Sequence, residues 1–283
     1  MISIKTEVQI EVMKEGGKRL SWVLSQILKE VKPQVALWQL DKLAEKLIKK
    51  QGGRPSFKMV PGYHWATCIN INEGIVHGIP NKYLLKENDL VSVDIGMFYQ
   101  SLHTDMARTV LVQSSKLSPS TTLRSSTPRS LRLEEVDGER SRTVKVKSDE
   151  FLKVGEKALA KAISVAKVGN RVGHISQAME DEIRKAGFSP IEVLTGHGIG
   201  RKLHEEPQIP CFLNEKLEKT PLLGKGMVLA VEVIYAQGKA EVVLSHDGWT
   251  IKTADGKLAG LFEKTILVGQ GQPLALTPYQ ISF

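Results

Sequence analysis

Apolar and polar residues alternate most regularly over residues 91–110, which read VSVDIGMFYQSLHTDMARTV. Alternation with a period of two is typical of a β-strand with one buried face. The segment therefore predicts two strands, joined by a turn at Tyr99–Leu102. Each predicted strand carries one carboxylate, Asp94 in the first and Asp105 in the second, on a face of otherwise small residues.

If these strands pair, Asp94 and Asp105 point into the same space. Two neighbouring carboxylates repel one another unless a proton or a metal ion lies between them. A hairpin whose two aspartates face water is the simpler alternative, and this segment alone does not decide between them. Other stretches of the chain favour the metal.

Three of those stretches hold further candidate metal ligands. His197 lies in a Gly-rich turn, LTGHGIGRKLHEEP, while Glu232 and Glu263 interrupt the apolar strand patterns MVLAVEVIY and LFEKTILV. A lone Glu in an apolar strand is costly to bury unless it is paired or ligates a metal. Together with Asp94 and Asp105, these residues form a set of hard carboxylates and one imidazole. Such a set suits two divalent ions of the kind of Mn, Fe, Co or Zn.

Helical spacing of apolar residues predicts four helices. The first follows a capping box at Thr6–Gln9, and the second begins after Pro33 and ends at Gly52–Gly53. The third runs over about 147–166 and the fourth over about 172–187.

The order of the five candidate ligands, with the motifs around them, resembles the methionine aminopeptidases of the bacterial type I class. The motifs are GHGIG, LHEEP, INEGIVHGIP (71–80) and DGWTIKT (247–253), and the resemblance covers nearly the whole chain apart from about 114–146. It implies an α+β architecture, the pita-bread fold, in which a curved antiparallel sheet has helices on its outer face and metals on its concave face. It also implies two halves related by approximate two-fold symmetry, which the sequence does not show as a repeat.

The resemblance further implies how the ligands divide between two metal ions. One ion would be held by Asp94, Asp105 and Glu263, and the other by Asp105, His197, Glu232 and Glu263. A water between the ions would attack the carbonyl of the N-terminal Met, with the substrate amine on the Asp94 side. Glu232 would also carry the catalytic proton.

Other residues gain their roles only from the resemblance. His77 would contact the bound peptide, and His204 would stabilise the oxyanion. The walls of the methionine pocket would be Tyr63, Cys68, Leu203 and Trp249. For the pocket residues, ordinary core packing is the simpler alternative. The chain departs from the family pattern at Leu203, Val233 and Lys264, none of which is a proposed ligand.

The composition is that of an ordinary globular protein of 283 residues with a net charge of +8. No apolar stretch approaches about 18 residues, and the N-terminus does not resemble a signal peptide, so we expect a cytoplasmic protein. Cys68 and Cys211 are the two cysteines, and we expect both to be reduced. Residues 1–58 hold 12 Lys and Arg against 6 Asp and Glu. We expect this excess to be a solvated helix surface, with attraction to the ribosome as the alternative.

Residues 114–142 differ in composition from the rest of the chain, because they are rich in Ser, Thr, Pro and Arg and poor in large apolar residues. Such a stretch cannot bury enough apolar surface to offset the entropy lost on ordering it. We therefore expect a flexible insertion, dispensable for chemistry, within one domain that spans residues 1–283.

The sequence thus predicts a monomeric metal-dependent hydrolase that removes the N-terminal Met from nascent proteins and peptides with a small second residue. Its cofactors would be two divalent ions (Co, Mn, Fe or Zn), and its partners nascent polypeptide N-termini; neither a membrane nor a specific nucleic-acid sequence is expected. One alternative is an aminopeptidase of the Xaa-Pro type, which usually carries a large N-terminal domain. The other is a non-catalytic pita-bread protein that binds RNA or another partner, which usually lacks some ligands.

Overall fold

The computed structural model describes residues 2–113 and 131–278. Four α-helices lie within these residues: α1 (Glu7–Lys29), α2 (Leu37–Lys50), α3 (Leu131–Ser164) and α4 (Val172–Lys185). In this part of the chain no helix is both long enough and apolar enough to cross a membrane.

The predicted capping box at the start of α1 is confirmed. The Thr6 hydroxyl accepts a hydrogen bond from the Gln9 N–H, and the Gln9 side chain accepts one from the Thr6 N–H. These two bonds satisfy backbone donors that have no partner inside the helix. The predicted end of α4 is also confirmed, since Gly187 follows it with a φ of 78°.

The prediction for the segment after the Asp strands is wrong in its last part. Regular structure returns at Leu131, at the start of α3, and not at about Lys147. The stretch LRLEEV at 131–136 contains Leu, Arg and Glu, which favour helix. Averaging composition over 114–142 concealed this local preference. The earlier part of the predicted insertion, 114–130, lies outside the described residues, so its flexibility and the single-domain boundary stay predictions.

The strands are mostly short and form three antiparallel sheets. In the first half of the chain they are β1 (Arg54–Pro55), β2 (Thr67–Ile71), β3 (Gly74–Val76), β4 (Leu90–Tyr99) and β5 (Leu102–Leu111). In the second half they are β6 (Ser189–Pro190), β7 (Thr195–Gly198), β8 (Glu205–Pro210), β9 (Val228–Ala236), β10 (Val242–Leu244), β11 (Ile251–Thr253), β12 (Ala259–Leu267) and β13 (Leu274–Ala275).

The strands pair within three sheets, each with its own strand order. In one sheet β4 pairs with β5 along its whole length, with β2 over residues 91–95 and with β1 at residues 97–98. A second runs β13-β12-β9-β7-β8, with β6 beside β9, and a small third sheet runs β10-β11-β3. The long pairs β4–β5 and β9–β12 therefore form the centres of the two larger sheets.

The hairpin predicted from the alternating pattern is confirmed. Strands β4 and β5 pair continuously from Leu90↔Leu111 to Tyr99↔Leu102, and the two turn residues between them have positive φ angles. In this register Asp94 lies opposite Ala107 and Asp105 lies opposite Gly96. The two aspartates therefore share one face of the hairpin.

Threonine hydroxyls join the two larger sheets where β5 meets β12. Thr265 Oγ1 accepts a hydrogen bond from the Asp105 N–H (2.9 Å) and donates to the Asp105 carbonyl oxygen (2.7 Å). Thr109 Oγ1 likewise accepts from the Leu261 N–H and donates to the Leu261 carbonyl oxygen, both at 2.9 Å. In each contact a Thr on one strand bonds to the backbone of a residue on the other strand. An approximate two-fold axis that exchanges β5 and β12 therefore relates the two contacts. This relation supports the internal symmetry expected from the resemblance.

Helices cover one face of each larger sheet. The apolar face of the β4–β5 hairpin packs against α1 and α2 through a buried cluster that includes Leu20, Leu24, Ile27, Leu40, Val91, Val93 and Met106. The outer face of β9 and β12 packs in the same way against α3 and α4, through residues that include Phe151, Met179, Val231, Val233 and Phe262. Because side chains alternate along a strand, the residues between these positions project from the uncovered face.

We expect the threonine contacts to stabilise the fold measurably. Thr109→Val keeps the side-chain shape but leaves the buried N–H and carbonyl of Leu261 without their hydrogen bonds to Oγ1. The free energy of unfolding should fall by about 2–3 kcal/mol, measured by urea denaturation. Thr109→Ser, which retains the hydroxyl, should lose much less. An equal loss in the two variants would show that the hydroxyl is not the stabilising group.

Candidate active site

Five side chains from five strands meet on the face that the helices leave uncovered. They are Asp94 on β4, Asp105 on β5, His197 on β7, Glu232 on β9 and Glu263 on β12. Glu232 and Glu263 are direct cross-strand partners. One potential ligand atom from each of Asp105, His197 and Glu263 lies within 4.8 Å of the other two. The predicted set is therefore brought together, although the role of each residue as a ligand stays a prediction.

The imidazole of His197 is held in one tautomer. Its Nδ1 lies 2.8 Å from the carbonyl oxygen of Gly198, which can only accept, so Nδ1 carries the hydrogen. Its Nε2 lies 3.5 Å from Glu232 Oε1. Burial, with a contribution from His204, lowers the pKa of His197 to about 4. The ring is therefore neutral near pH 7, with the Nε2 lone pair facing the acids, as metal ligation requires.

The four acids have unusually high pKa values in the absence of a cation. Burial raises the pKa of Asp94 to about 8, and burial followed by the charges of neighbouring acids raises those of Asp105, Glu232 and Glu263 well above the ordinary range. Burial disfavours the charged form, and each neighbouring carboxylate adds repulsion.

The donor atoms fit divalent metal ions. Asp94 Oδ1 and Glu263 Oε1 are buried, and neither has a hydrogen-bond partner within the described residues. Buried carboxylate oxygens are seldom left without a partner. A group of converging carboxylate oxygens and one imidazole nitrogen matches the chemistry of borderline transition metals.

A cavity of about 850 Å³ adjoins the acids. All eleven residues predicted for the site line this cavity: Tyr63, Cys68, His77, Asp94, Asp105, His197, Leu203, His204, Glu232, Trp249 and Glu263. The volume is within the range typical of ligand sites.

Tyr63 is the centre of an aromatic wall in the cavity. Its hydroxyl donates to the carbonyl oxygens of Thr67 (2.9 Å) and Gly78 (3.1 Å). Its ring meets that of Trp249 edge-on, with 5.1 Å between centroids, and that of Phe57 at 6.5 Å. Because the hydroxyl is already bonded, the phenol ring adds an apolar surface to the cavity.

Both cysteines are free and buried, as expected. Burial and the neighbouring Asp94 raise the pKa of Cys68 well above its ordinary value, so the thiol in the cavity wall is uncharged. Cys211 donates to the carbonyl oxygen of Glu232 at 3.3 Å and accepts from the Ile234 N–H at 3.4 Å. Its thiol thus helps to hold the section of β9 that carries Glu232.

Two histidines lie beside the acids without belonging to the ligand set. The ring of His204 stands perpendicular to that of His197, with 4.4 Å between centroids. His77 has a left-handed backbone, with a φ of 58°, and burial together with the charge of His204 lowers its pKa. Both side chains reach the cavity.

Sequence reasoning missed several residues of the cavity wall. Phe57 and Val60 belong to a short turn without periodicity, Ser3 comes from the N-terminal segment, and Val193 is an exposed apolar residue at the rim. No local pattern marks these positions, because only the tertiary structure brings them to the cavity.

Over nearly its whole length the chain is similar to known metallopeptidases. The model of metallopeptidase family M24 matches residues 11–125 and 131–269. A methionine aminopeptidase of Clostridium perfringens is 34% identical over 277 residues, covering 98% of this chain and 99% of the relative. Methionine aminopeptidase 1 of Bacillus subtilis is 34% identical over 268 residues, covering 95% and 96%. The crystal structure of the Thermotoga maritima methionine aminopeptidase has a TM-score of 0.83 and 36% identity, covering 98% and 99%.

The chain belongs to metallopeptidase family M24. Within this family its relatives are methionine aminopeptidases, and its architecture is the pita-bread fold. As an M24 member it is a metal-dependent hydrolase.

Two of the departures from the methionine aminopeptidase pattern, Val233 and Lys264, lie away from the cluster of acids. Val233 and Lys264 each follow a candidate ligand, so alternation turns them to the opposite face of the sheet. Val233 is fully buried in the cluster that contacts the helices. Burial, followed by the positive charge of Arg108, lowers the pKa of Lys264. The third departure, Leu203, does line the cavity.

The clustered acids predict a pH dependence for the metal-free M24 protein. The pKa values of these acids are higher in the folded chain than in the unfolded chain. The protonated acids therefore make their full contribution to stability below about pH 4. For Asp94 this contribution is lost as the pH rises through about 8. In a chelator, the melting temperature should therefore fall as the pH rises from about 4 to about 8. Excess Mn²⁺ or Co²⁺ should weaken this dependence, because a bound cation replaces the protons.

Asp105→Asn is the matched variant for this measurement. It removes one of the repelling charges at nearly constant size, so its metal-free melting temperature should depend less on pH. A metal-free wild-type protein whose melting temperature does not change over this range would contradict the assignment.

Proposed function

We propose that this protein removes the N-terminal methionine from polypeptides whose second residue is small. One observation carries the proposal: an apolar aromatic pocket adjoins a cluster of four acids and one imidazole in the same cavity. Full-length similarity to methionine aminopeptidases supports it, because those proteins are named for this activity.

The proposal includes two divalent metal ions, of Co, Mn, Fe or Zn. Asp94, Asp105 and Glu263 would hold one ion, and Asp105, His197, Glu232 and Glu263 the other, with Asp105 and Glu263 shared. Bound ions of this kind supply Lewis acidity and a water that is activated near neutral pH. The unpartnered oxygens of Asp94 and Glu263, and the Nε2 of His197 that faces Glu232, support metal binding by this cluster.

The pocket would bind the methionine side chain through shape and polarizability. Tyr63 and Trp249 offer ring edges and faces to a thioether, a type of contact that is favourable for sulfur. Cys68 and Leu203 are largely buried and complete the apolar wall. A charged first residue would have to lose its hydration in this wall without a partner, so it should be rejected.

Three of the chain's own side chains would manage charge during hydrolysis. Glu232 would take up and release a proton, which its buried position favours because the protonated form is stabilised there. His204 would stabilise the negative oxygen that develops on the scissile carbonyl, and His77 would contact the peptide backbone. All three line the cavity beside the pocket.

The proposal also names partners and a location. The substrates would be the N-termini of nascent polypeptides in the cytoplasm, with the protein acting as a monomer. Residues 1–58 form α1, α2 and the start of the cavity wall, and their basic excess is the feature that would favour docking on the ribosome surface.

Peptide cleavage tests the substrate class. We expect the metal-loaded protein to release Met from Met-Ala-Ser, to cleave a norleucine analogue more slowly, and to leave Lys-Ala-Ser intact. An apolar pocket separates close analogues by about 1–3 kcal/mol, so norleucine should lose no more than that. Preferred cleavage of Ala-Pro-Ala would favour an Xaa-Pro peptidase, and no cleavage of any peptide would favour a binding protein.

Two variants distinguish the proposed metal ligands from the residues around them. Asp105→Asn should reduce metal content, measured by elemental analysis, and should abolish cleavage of Met-Ala-Ser. His204→Ala should retain metal but lower kcat by about 10²-fold, since removing one oxyanion donor has an effect of that size. Near-normal activity and metal content in Asp105→Asn would overturn the ligand assignment.

A further inference from the structure

The N-terminal segment of the chain runs along the active site before α1 begins. Ile4 forms an antiparallel bridge with Met227, and the Lys5 N–H donates to the Gly226 carbonyl oxygen at 2.9 Å. The capping box starts at the next residue and ties the segment to α1. The backbone of Lys5 is therefore fixed on both sides.

The side chain of Lys5 is buried, which is unusual for a lysine. It is 3% exposed, and its Nζ lies 2.6 Å from Oε2 of Glu205, which is 12% exposed. The other oxygen of Glu205 accepts a hydrogen bond from the Lys202 N–H at 3.1 Å. Burial alone would raise the pKa of Glu205, but the hydrogen bonds from Lys5 and Lys202 hold it below its ordinary value. The Lys5–Glu205 pair is thus buried, and each oxygen of the Glu205 carboxylate has a hydrogen-bond partner.

The segment held by this ion pair carries five residues that line the cavity, Glu205 itself among them, and two of the five belong to the predicted site. Residues 200–205 leave β7 and return to β8, and they place Leu203 and His204 in the cavity wall. The segment is closed by a hydrogen bond from the Gly200 N–H to the Lys202 carbonyl oxygen at 3.0 Å. The Gly200 carbonyl oxygen accepts from the His103 N–H at 2.7 Å.

Gly200 provides the space in which the lysine reaches Glu205. A Cβ atom at this position would lie 2.4 Å from Lys5 Cε and 2.8 Å from Nζ, so any side chain here would require the end of the Lys5 side chain to move. The second glycine of the GIG stretch therefore accommodates the side chain of Lys5. The N-terminal segment and the segment 200–205 fit together as one unit.

We propose that Lys5 is a positioning residue, whose buried ion pair with Glu205 holds the segment 200–205 so that His204 and Leu203 face the substrate. The inference rests on the proposed function for the roles of His204 and Leu203. Lys5 itself does not touch the substrate in this arrangement; it acts through Glu205. Displacement of a catalytic group by about 1 Å can lower the rate by about 10²-fold, so a modest loosening of this segment is enough to affect kcat.

Lys5→Met tests the contact, because methionine keeps a long unbranched side chain and removes the charge. We expect kcat for Met-Ala-Ser to fall by at least about tenfold, with metal content unchanged, since no proposed ligand is altered. Hydrogen–deuterium exchange of a peptide covering 200–205 should become faster. This second readout does not depend on catalysis.

Lys14→Met is the matched control. Lys14 also pairs with an acid at 2.6 Å, but the pair with Glu11 lies on the surface of α1, with 39% and 69% of the two side chains exposed. Exposed pairs contribute little, so kcat and the exchange of 200–205 should both stay at the wild-type level.

Glu205→Gln removes the charge of the other partner in the ion pair. It can test the same contact if Lys5→Met fails to fold. It should give the same two changes, and the double variant should lose no more than either single variant, because the two residues act as one unit. If both single variants keep wild-type kcat and wild-type exchange in 200–205, or lower only the melting temperature, the inference is wrong. If the wild-type protein cleaves no Met peptide, the proposed function fails, while the exchange measurement still decides whether Lys5 holds the segment.

Discussion

Mutual repulsion among four buried carboxyl groups is the constraint on which the rest of this structure depends. Asp94, Asp105, Glu232 and Glu263 share one space on the wall of the cavity, and burial raises the pKa of each. Such a cluster is stable only with protons or cations between the groups. The fold must therefore hold the acids against their repulsion, and it does so with long, fully paired strands rather than with loops.

The strands can hold the acids in place because their two faces have different environments. One face of each larger sheet packs against a pair of helices, which gives apolar residues a buried environment and keeps the strands in register. The other face carries the acids. Thr109 and Thr265 then connect β5 to β12 across the two-fold axis through hydroxyl groups. This division also explains why Val233 and Lys264 can depart from the family pattern, since neither side chain projects toward the acids.

The cavity wall depends on segments that are far apart in sequence. The acids are on strands, but His204 and Leu203 are on the connection between β7 and β8, which packs against the N-terminal segment through Lys5 and Glu205. The aromatic wall around Tyr63 comes from a turn before β2 and from Trp249, just before β11. The cluster of acids is thereby surrounded by cavity-lining groups that separate parts of the chain hold in place.

The sequence by itself determined the elements with strong local patterns and the residues with unusual chemistry. The β4–β5 hairpin followed from alternation and a short turn, and Glu232 and Glu263 were conspicuous because an acid in an apolar strand needs a partner. The start of α3 was predicted too late in the chain, since averaging the composition over a long segment concealed a helix-forming stretch. Only the tertiary structure decided that Glu232 lies opposite Glu263, that Phe57 lines the pocket, and that Lys5 reaches Glu205. These contacts join residues that are distant in the chain, and their geometry comes from strand register and close packing, neither of which leaves a local pattern in the sequence.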